Sequence, residues 1–215
     1  MLGSMAEREV GVLAPERREQ LLAAAADEFT RAGYERASLN RIIRDQGMSK
    51  SSFYHYFASK EALFNAVVTG LATAVAEALN PPSAEDLTEG DFWPRITELT
   101  DHLARISRDE PAAARLAGLY YLADAPNGAG TPITAVRNAV DDWIDRALEI
   151  GRARGEVGDG LPIALQRHLA KAVIWAMDEW TVANLDRLSP TDLGRLPATQ
   201  LDAIKRLLAA DEERG

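Results

Sequence analysis

Apolar residues recur every three or four positions along most of this chain, and no stretch shows the strict alternation that a half-buried strand requires. The pattern predicts an all-α fold of about nine helices. The first, at about 15–32, starts on a Pro, turns Leu21, Leu22, Ala25 and Phe29 inward and stops at Gly33. A short second helix opens at Ser38, carries Leu39, Ile42 and Ile43, and ends at Gly47, with Met48 packing across the turn. A third opens at Ser49 and places Phe53 and Phe57, four residues apart, on one buried face. Ser59 caps a fourth, in which Leu63, Phe64, Val67, Val68, Leu71 and Val75 are apolar, and Asn80-Pro81-Pro82 ends it. Five more helices are expected at about 94–109, 112–123, 133–154, 162–188 and 198–210, with a loop at 124–132.

The 162–188 segment carries two apolar stripes. Leu165, Leu169, Val173, Ala176, Trp180 and Ala183 form one, and Ala170, Ile174, Met177, Thr181 and Leu185 the other. A helix apolar on two sides has to be covered on two sides. A helix central to a monomer would look the same as one shared with a partner subunit. In the second case the dimer face comprises Leu165, Leu169, Val173 and Trp180, with Leu201, Ile204 and Leu208 of the last helix alongside.

The third helix is the segment with the most chemical character. With Phe53 and Phe57 turned inward, Ser51, Tyr54 and His55 lie on the open side, flanked by Lys50 and Ser52. Five consecutive rings, Phe53 to Phe57, cannot all be buried on one short helix. Hydroxyl and ammonium groups donate readily to phosphate oxygens, and two short helices joined at a Gly turn are the pattern of a helix-turn-helix DNA reader. An ordinary solvated helical hairpin is the plainer alternative.

The run Gly47-Met48-Ser49-Lys50-Ser51-Ser52-Phe53-Tyr54-His55-Tyr56-Phe57, followed by Ser59-Lys60-Glu61-Ala62-Leu63, resembles the signature of the TetR family of bacterial transcriptional regulators. The resemblance covers roughly residues 15–65. By position it implies that Lys50, Ser51, Ser52, Tyr54 and His55 lie on the recognition helix, that Tyr56 and Lys60 face phosphates, and that Ser38 and Asn40 stand at the start of the preceding helix. Of these, the Asn40 amide, which both donates and accepts, suits a base edge. Ile43 and Gln46 stand where the family commonly has Ala, and Ser51 where it often has Gly, which would splay the two helices slightly.

The resemblance further implies a helix-turn-helix domain at 15–65 and an effector-binding and dimerisation domain at 66–215. It also implies a homodimer formed through a four-helix bundle, with the two heads about 34 to 36 Å apart on a double-stranded palindromic operator. The implied activity is repression, relieved when a small hydrophobic or amphipathic effector enters a pocket beneath the fourth helix. Trp93, His102, Tyr120, Trp143, His168 and Trp175 are the candidate lining, although such rings also serve as packing elements.

Composition narrows the remaining choices. With 47% hydrophobic and 27% charged residues the chain lies outside the disordered class. It has no Cys, and its three His are scattered, so neither a metal nor any other cofactor is expected. The net charge of −9 is unevenly distributed. Residues 1–60 hold nine basic against eight acidic side chains, whereas residues 61–215 hold 15 against 25, which suits a locally basic head on an acidic body. No apolar run near the ~20 residues of a membrane span is evident, so a soluble cytoplasmic protein without a membrane partner is expected. Residues 1–14 read as a flexible terminus or cloning scar ahead of a natural start at Met5. A helical enzyme is the rival of a different class, and it lacks any convergent nucleophile, His pair or phosphate loop. A DNA-binding dimer acting as activator, or acting without an effector, shares every feature above.

Overall fold

The structure, a computed structural model, describes residues 13–209. The expected N-terminal leader and the end of the last helix at 210 therefore lie largely outside the described residues. Among the described residues there are nine α-helices and no strand: α1 (Pro15–Ala32), α2 (Leu39–Asp45), α3 (Lys50–Tyr56), α4 (Lys60–Leu79), α5 (Phe92–Asp109), α6 (Pro111–Tyr120), α7 (Pro132–Ala153), α8 (Ile163–Asn184) and α9 (Pro190–Leu208).

Local chemistry sets the boundaries of the amino-terminal head. Ser38, Ser49 and Ser59 cap α2, α3 and α4, their side-chain oxygens accepting from the backbone N–H of Arg41, Ser52 and Ala62. Gly47 turns the chain between α2 and α3 at φ +61°, a conformation that costs an L side chain about 1–2 kcal/mol. Phe29, Phe53 and Phe64 are fully buried where α1, α3 and α4 meet, each contributing about 1.5–3 kcal/mol relative to an exposed ring. Phe64 stands edge-on to Phe29 at 5.1 Å and to Tyr34 at 5.2 Å. The same apolar cluster continues into Leu119, Ala125 and Ile133, so α6 and the start of α7 help to close the core of the head. At that junction Gly118 lets α6 come close to Thr30 of α1, and Arg115 pairs with Asp27 at 3.0 Å.

A second core fills the body, built on Leu87, Phe92, Ile144, Leu148, Val157, Ala170 and Leu208. The segment after α4, expected to be a linker, contains a 3-10 turn at Ala84–Thr88. Its capping box between Ser83 and Asp86 orders it, and buried Ala84 and Leu87 anchor it in this core. The pattern also placed the start of α9 too late. Ser189 accepts from the Asp192 N–H and Pro190 occupies the first turn, so the helix begins about eight residues before the expected 198. Pro197 lies inside it, withholding one backbone N–H from the ladder without ending the helix.

Two expectations are corrected here. Leu201 and Leu208 are buried, and Ile204 packs against the body core, so these side chains are covered by their own subunit rather than offered to a partner. The outer stripe of α8 is arranged differently: Leu165 is 44% and Trp180 51% exposed, Ala176 and Ala183 are exposed, and Leu169 and Val173 are half-buried. The second correction concerns α4, where one 18-residue window reaches a mean hydropathy of 1.6, enough by length and composition for a membrane span. Burial of Leu63, Phe64, Val67 and Val68 in the head core accounts for the first half of that apolarity.

A buried glycine offers a direct check on this packing. A Cβ on Gly151 of α7 would stand 2.6 Å from Val157 and 2.9 Å from Phe92, both in the body core. Gly151→Ala is expected to lower stability by about 1–3 kcal/mol through overpacking, read as a shift of the urea midpoint at unchanged slope.

Candidate nucleic-acid interface and ligand groove

On α3, Phe53 is fully buried while its neighbour Tyr54, one step of helical rotation away, is 53% exposed with its ring edge-on to Phe53 at 5.3 Å. Lys50, Ser51 and His55 are exposed on the same short helix, and Ser52 is half-buried. Ser51 is within hydrogen-bond reach of the capping Ser49 hydroxyl at 3.0 Å, and His55 lies edge-on to Tyr56 at 5.2 Å. Tyr56 packs partly against the head core, and Asn40 is exposed at the start of α2. The structure thus brings Lys50, Ser51, Tyr54, His55 and Asn40 to the surface of one head. Ile43 is accommodated inside the core, where a smaller residue was anticipated.

Ser38 caps the helix as expected, whereas Lys60, expected at a phosphate, serves the fold instead. The Ser38 hydroxyl caps α2, and its N–H donates to Glu28 at 2.9 Å. Lys60 turns inward: its ammonium donates to the carbonyls of Tyr34 at 2.8 Å and Glu35 at 2.9 Å and lies 4.8 Å from the Tyr34 ring centre. The N–H groups of the same two residues donate to Asp124 at 3.0 and 2.9 Å. The turn between α1 and α2 is therefore held by a cation on its carbonyl side and by a body carboxylate on its amide side. The Glu35 N–H, opposed by desolvation and aided by the Tyr34 N–H, holds the Asp124 carboxyl below its usual pKa.

Glu28 is the buried charge of the head. Its carboxylate accepts from the Ser38 N–H, from Arg31 at 2.5 Å and from Arg41 at 3.3 Å, tying α1 to the start of α2. Burial pushes its pKa up, but the Ser38 and Arg31 hydrogen bonds and the two guanidinium charges outweigh that, and the net displacement is downward.

None of the six expected ligand residues lines the apolar groove of the body. Trp93 and Trp143 pack against the body core and donate to the carbonyls of Glu156 at 3.1 Å and Pro82 at 2.9 Å. Trp175 donates to Asp141 at 2.7 Å and stacks on Tyr120 at 5.5 Å, with Arg137 over its ring at 4.4 Å. His102 is half-buried and His168 exposed.

A groove of about 460 Å³ instead lies between α5, α8 and α9, walled by residues such as Leu103, Met177, Leu185, Leu196 and Leu201. It includes Ile174, Met177 and Thr181 of α8, Leu185 just after it, and Leu193, Leu196 and Pro197 of α9, the last three lying before the expected start of that helix. Asp178 opens into it and accepts a hydrogen bond from the Tyr121 hydroxyl. Burial raises the Asp178 pKa against the lowering effect of that bond, and burial followed by Asp178 raises that of Tyr121. Tyr121 caps the end of α6, three residues before Asp124, so the groove and the turn in the head lie on one short stretch of chain. The described residues contain no cluster of three or more potential metal ligands.

Comparison with known proteins places this geometry. Residues 21–67 match the family model of bacterial regulatory proteins, tetR family. The head of the chain therefore carries the TetR-family helix-turn-helix segment. Over 139 residues this chain is 31% identical to the A-factor receptor protein of Streptomyces griseus, covering 62% of the chain and 44% of that protein. Over 112 residues it is 35% identical to the HTH-type transcriptional regulator RutR of Escherichia coli strain K12, covering 51% of the chain and 50% of RutR. The chain thus spans about half the length of these curated relatives. Among solved structures it is similar to the transcriptional regulator FadR from Bacillus subtilis in complex with stearoyl-CoA. There the TM-score is 0.66 at 18% identity, covering 88% of this chain and 98% of that one. SmeT, the repressor of a Stenotrophomonas maltophilia multidrug efflux pump, gives 0.66 at 17%, covering 91% of each chain. These named proteins are regulators and receptors, and the helix-turn-helix of the head is the segment that the family model describes.

The Glu28 network has a pH signature. Because the folded carboxyl titrates below its unfolded value, its stabilisation is complete above the ordinary glutamate range and is lost as pH falls through the folded pKa. Glu28→Gln is expected to lower the urea midpoint at pH 7, and its deficit relative to wild type should shrink steadily towards pH 3.

Proposed function

We propose that this protein is a cytoplasmic homodimeric transcriptional repressor of the TetR family that binds a palindromic DNA operator and releases it when a small hydrophobic or amphipathic molecule occupies the α5–α8–α9 groove. The observation that carries the DNA-binding reading is Tyr54, a large ring left in solvent beside Lys50, Ser51 and His55 on a helix whose other side is locked by Phe53. Hydroxyl and ammonium donors on such a face suit phosphates, and Asn40 supplies a group able to tell base edges apart. A single head this small gives little specificity. Two heads one helical turn of DNA apart give more, and the outer α8 stripe of Leu165 and Trp180 supplies an uncovered apolar surface for pairing.

The groove supports the effector reading through its volume and its mostly apolar walls. A protein of similar fold, FadR from Bacillus subtilis, was solved with the amphipathic stearoyl-CoA. For release, the ligand must bind the DNA-incompetent arrangement more tightly, because equal affinity for both arrangements shifts nothing.

Selection of bound fragments from random DNA should return an inverted repeat. With that site in hand, Tyr54→Ala is expected to weaken binding at least about tenfold in gel-shift titration, about 1.4 kcal/mol, while the melting temperature stays unchanged. Wild-type affinity in that variant would remove α3 from the interface. For the oligomer, Trp180→Glu is expected to turn a sedimenting dimer into a folded monomer. A wild-type sedimentation profile would show that the outer face of α8 is not the contact.

A further inference from the structure

The walls of the groove are uneven in chemistry. Most of the lining is aliphatic, and three of its neutral polar side chains, Gln200, Thr181 and Thr100, already have partners. The Gln200 amide donates to the Thr181 hydroxyl at 2.9 Å, Thr181 donates to the Met177 carbonyl at 2.7 Å, and Thr100 donates to the Ile96 and Thr97 carbonyls at 3.1 and 2.9 Å. Two charged residues remain, Asp178 on α8 and Arg108 in the last turn of α5. Arg108 is exposed to solvent at its helix end. Asp178 accepts from the neutral Tyr121 hydroxyl, and among the described residues no Lys or Arg pairs with it within 4 Å.

Asp178 is itself exposed to solvent beside the aliphatic walls, and one hydrogen bond uses a fraction of the acceptor capacity of its carboxylate. Desolvation by the neighbouring side chains raises its pKa against the lowering effect of the Tyr121 hydrogen bond, and no counter-charge offsets that rise. A cation brought in with a ligand would restore the balance. An anionic ligand would meet Asp178 as a like charge, and the overall charge of −9 favours the approach of cations over anions.

We propose that the groove takes a lipophilic organic cation, its charged head against the Asp178 carboxylate and its hydrocarbon body along Leu103, Met177, Leu185, Leu196 and Leu201. This specifies the ligand class for the effector reading above and rests on it. The aliphatic walls contribute affinity through burial, and the carboxylate decides which of several equally greasy molecules is retained.

The experiment uses the full chain and three probes of equal tail length, decyltrimethylammonium, decanoate and decanol, each below its micelle concentration, in calorimetric titration. The expected result is that the ammonium binds at least about tenfold more tightly than either other probe. Asp178→Asn, which keeps side-chain volume and an acceptor for Tyr121, should bring the ammonium down to the level of decanol. Asp178→Glu should keep most of the preference. Leu196→Trp, which fills the groove, should weaken all three probes together. Tighter binding of decanoate would transfer selectivity to Arg108 and overturn the proposal, as would undiminished ammonium affinity in Asp178→Asn. In both cases the groove would still stand as a ligand site. Absence of binding by all three probes, or binding indifferent to Leu196→Trp, would overturn the proposal together with the groove-effector reading beneath it.

Discussion

The burial of Phe53 is the constraint on which the rest of the structure depends. A helix of seven residues has room for one committed side, and Phe53 commits it, fully enclosed among side chains of α1, α2 and α4. Helical rotation then leaves Tyr54, Ser51 and Lys50 no inward position. Capping at Ser49 and the left-handed Gly47 set where the helix starts and at what angle, so the exposed face is presented by a rigid unit rather than by a loop. What the surface of the head can recognise thus follows from how its interior packs.

Much of this was legible in the chain itself. Helix-period apolarity, serine caps and glycine stops locate α1 to α4 closely, because in the head local signals and tertiary packing agree. The body was less transparent. The last helix was expected from about 198, whereas α9 begins at Pro190 and runs through Pro197, held by the Ser189 cap and by the packing of its flanks. That misplacement hid the groove, half of whose α9 wall lies before the expected start of the helix. The aromatic residues misled for a related reason: Trp93, Trp143 and Trp175 each use the indole N–H on a part-buried acceptor of the protein, a packing role that composition cannot distinguish from ligand binding. Lys60 resembled a phosphate ligand because an ammonium group suits that task. Its partners, the carbonyls of Tyr34 and Glu35, become neighbours only after folding.

Head and body meet at more than the long α4. The turn after α1 is gripped from both sides, by Lys60 on its carbonyls and by Asp124 on its amides, while Gly33 leaves the space that Asp124 fills, 3.1 Å from where a Cβ would stand. Asp124 follows α6 by a few residues, and Tyr121 in the same stretch bonds to the groove carboxylate Asp178. A displacement of the end of α6 would therefore be felt at both places. This physical continuity makes the groove a sensible location for something that influences the head.

The apolar cluster of the head includes Leu119, Ala125 and Ile133, far along the chain from the helix-turn-helix. Chimaeras that join this head to another body at residue 65 would cut through a packed interior rather than across a hinge. The incoming body would have to reproduce both the shape of those three side chains and the carboxylate at the turn. Exchange of heads between relatives is thus governed by interior fit as well as by the sequence of the exposed helix, and the functional seam of the molecule runs along the surface of α6.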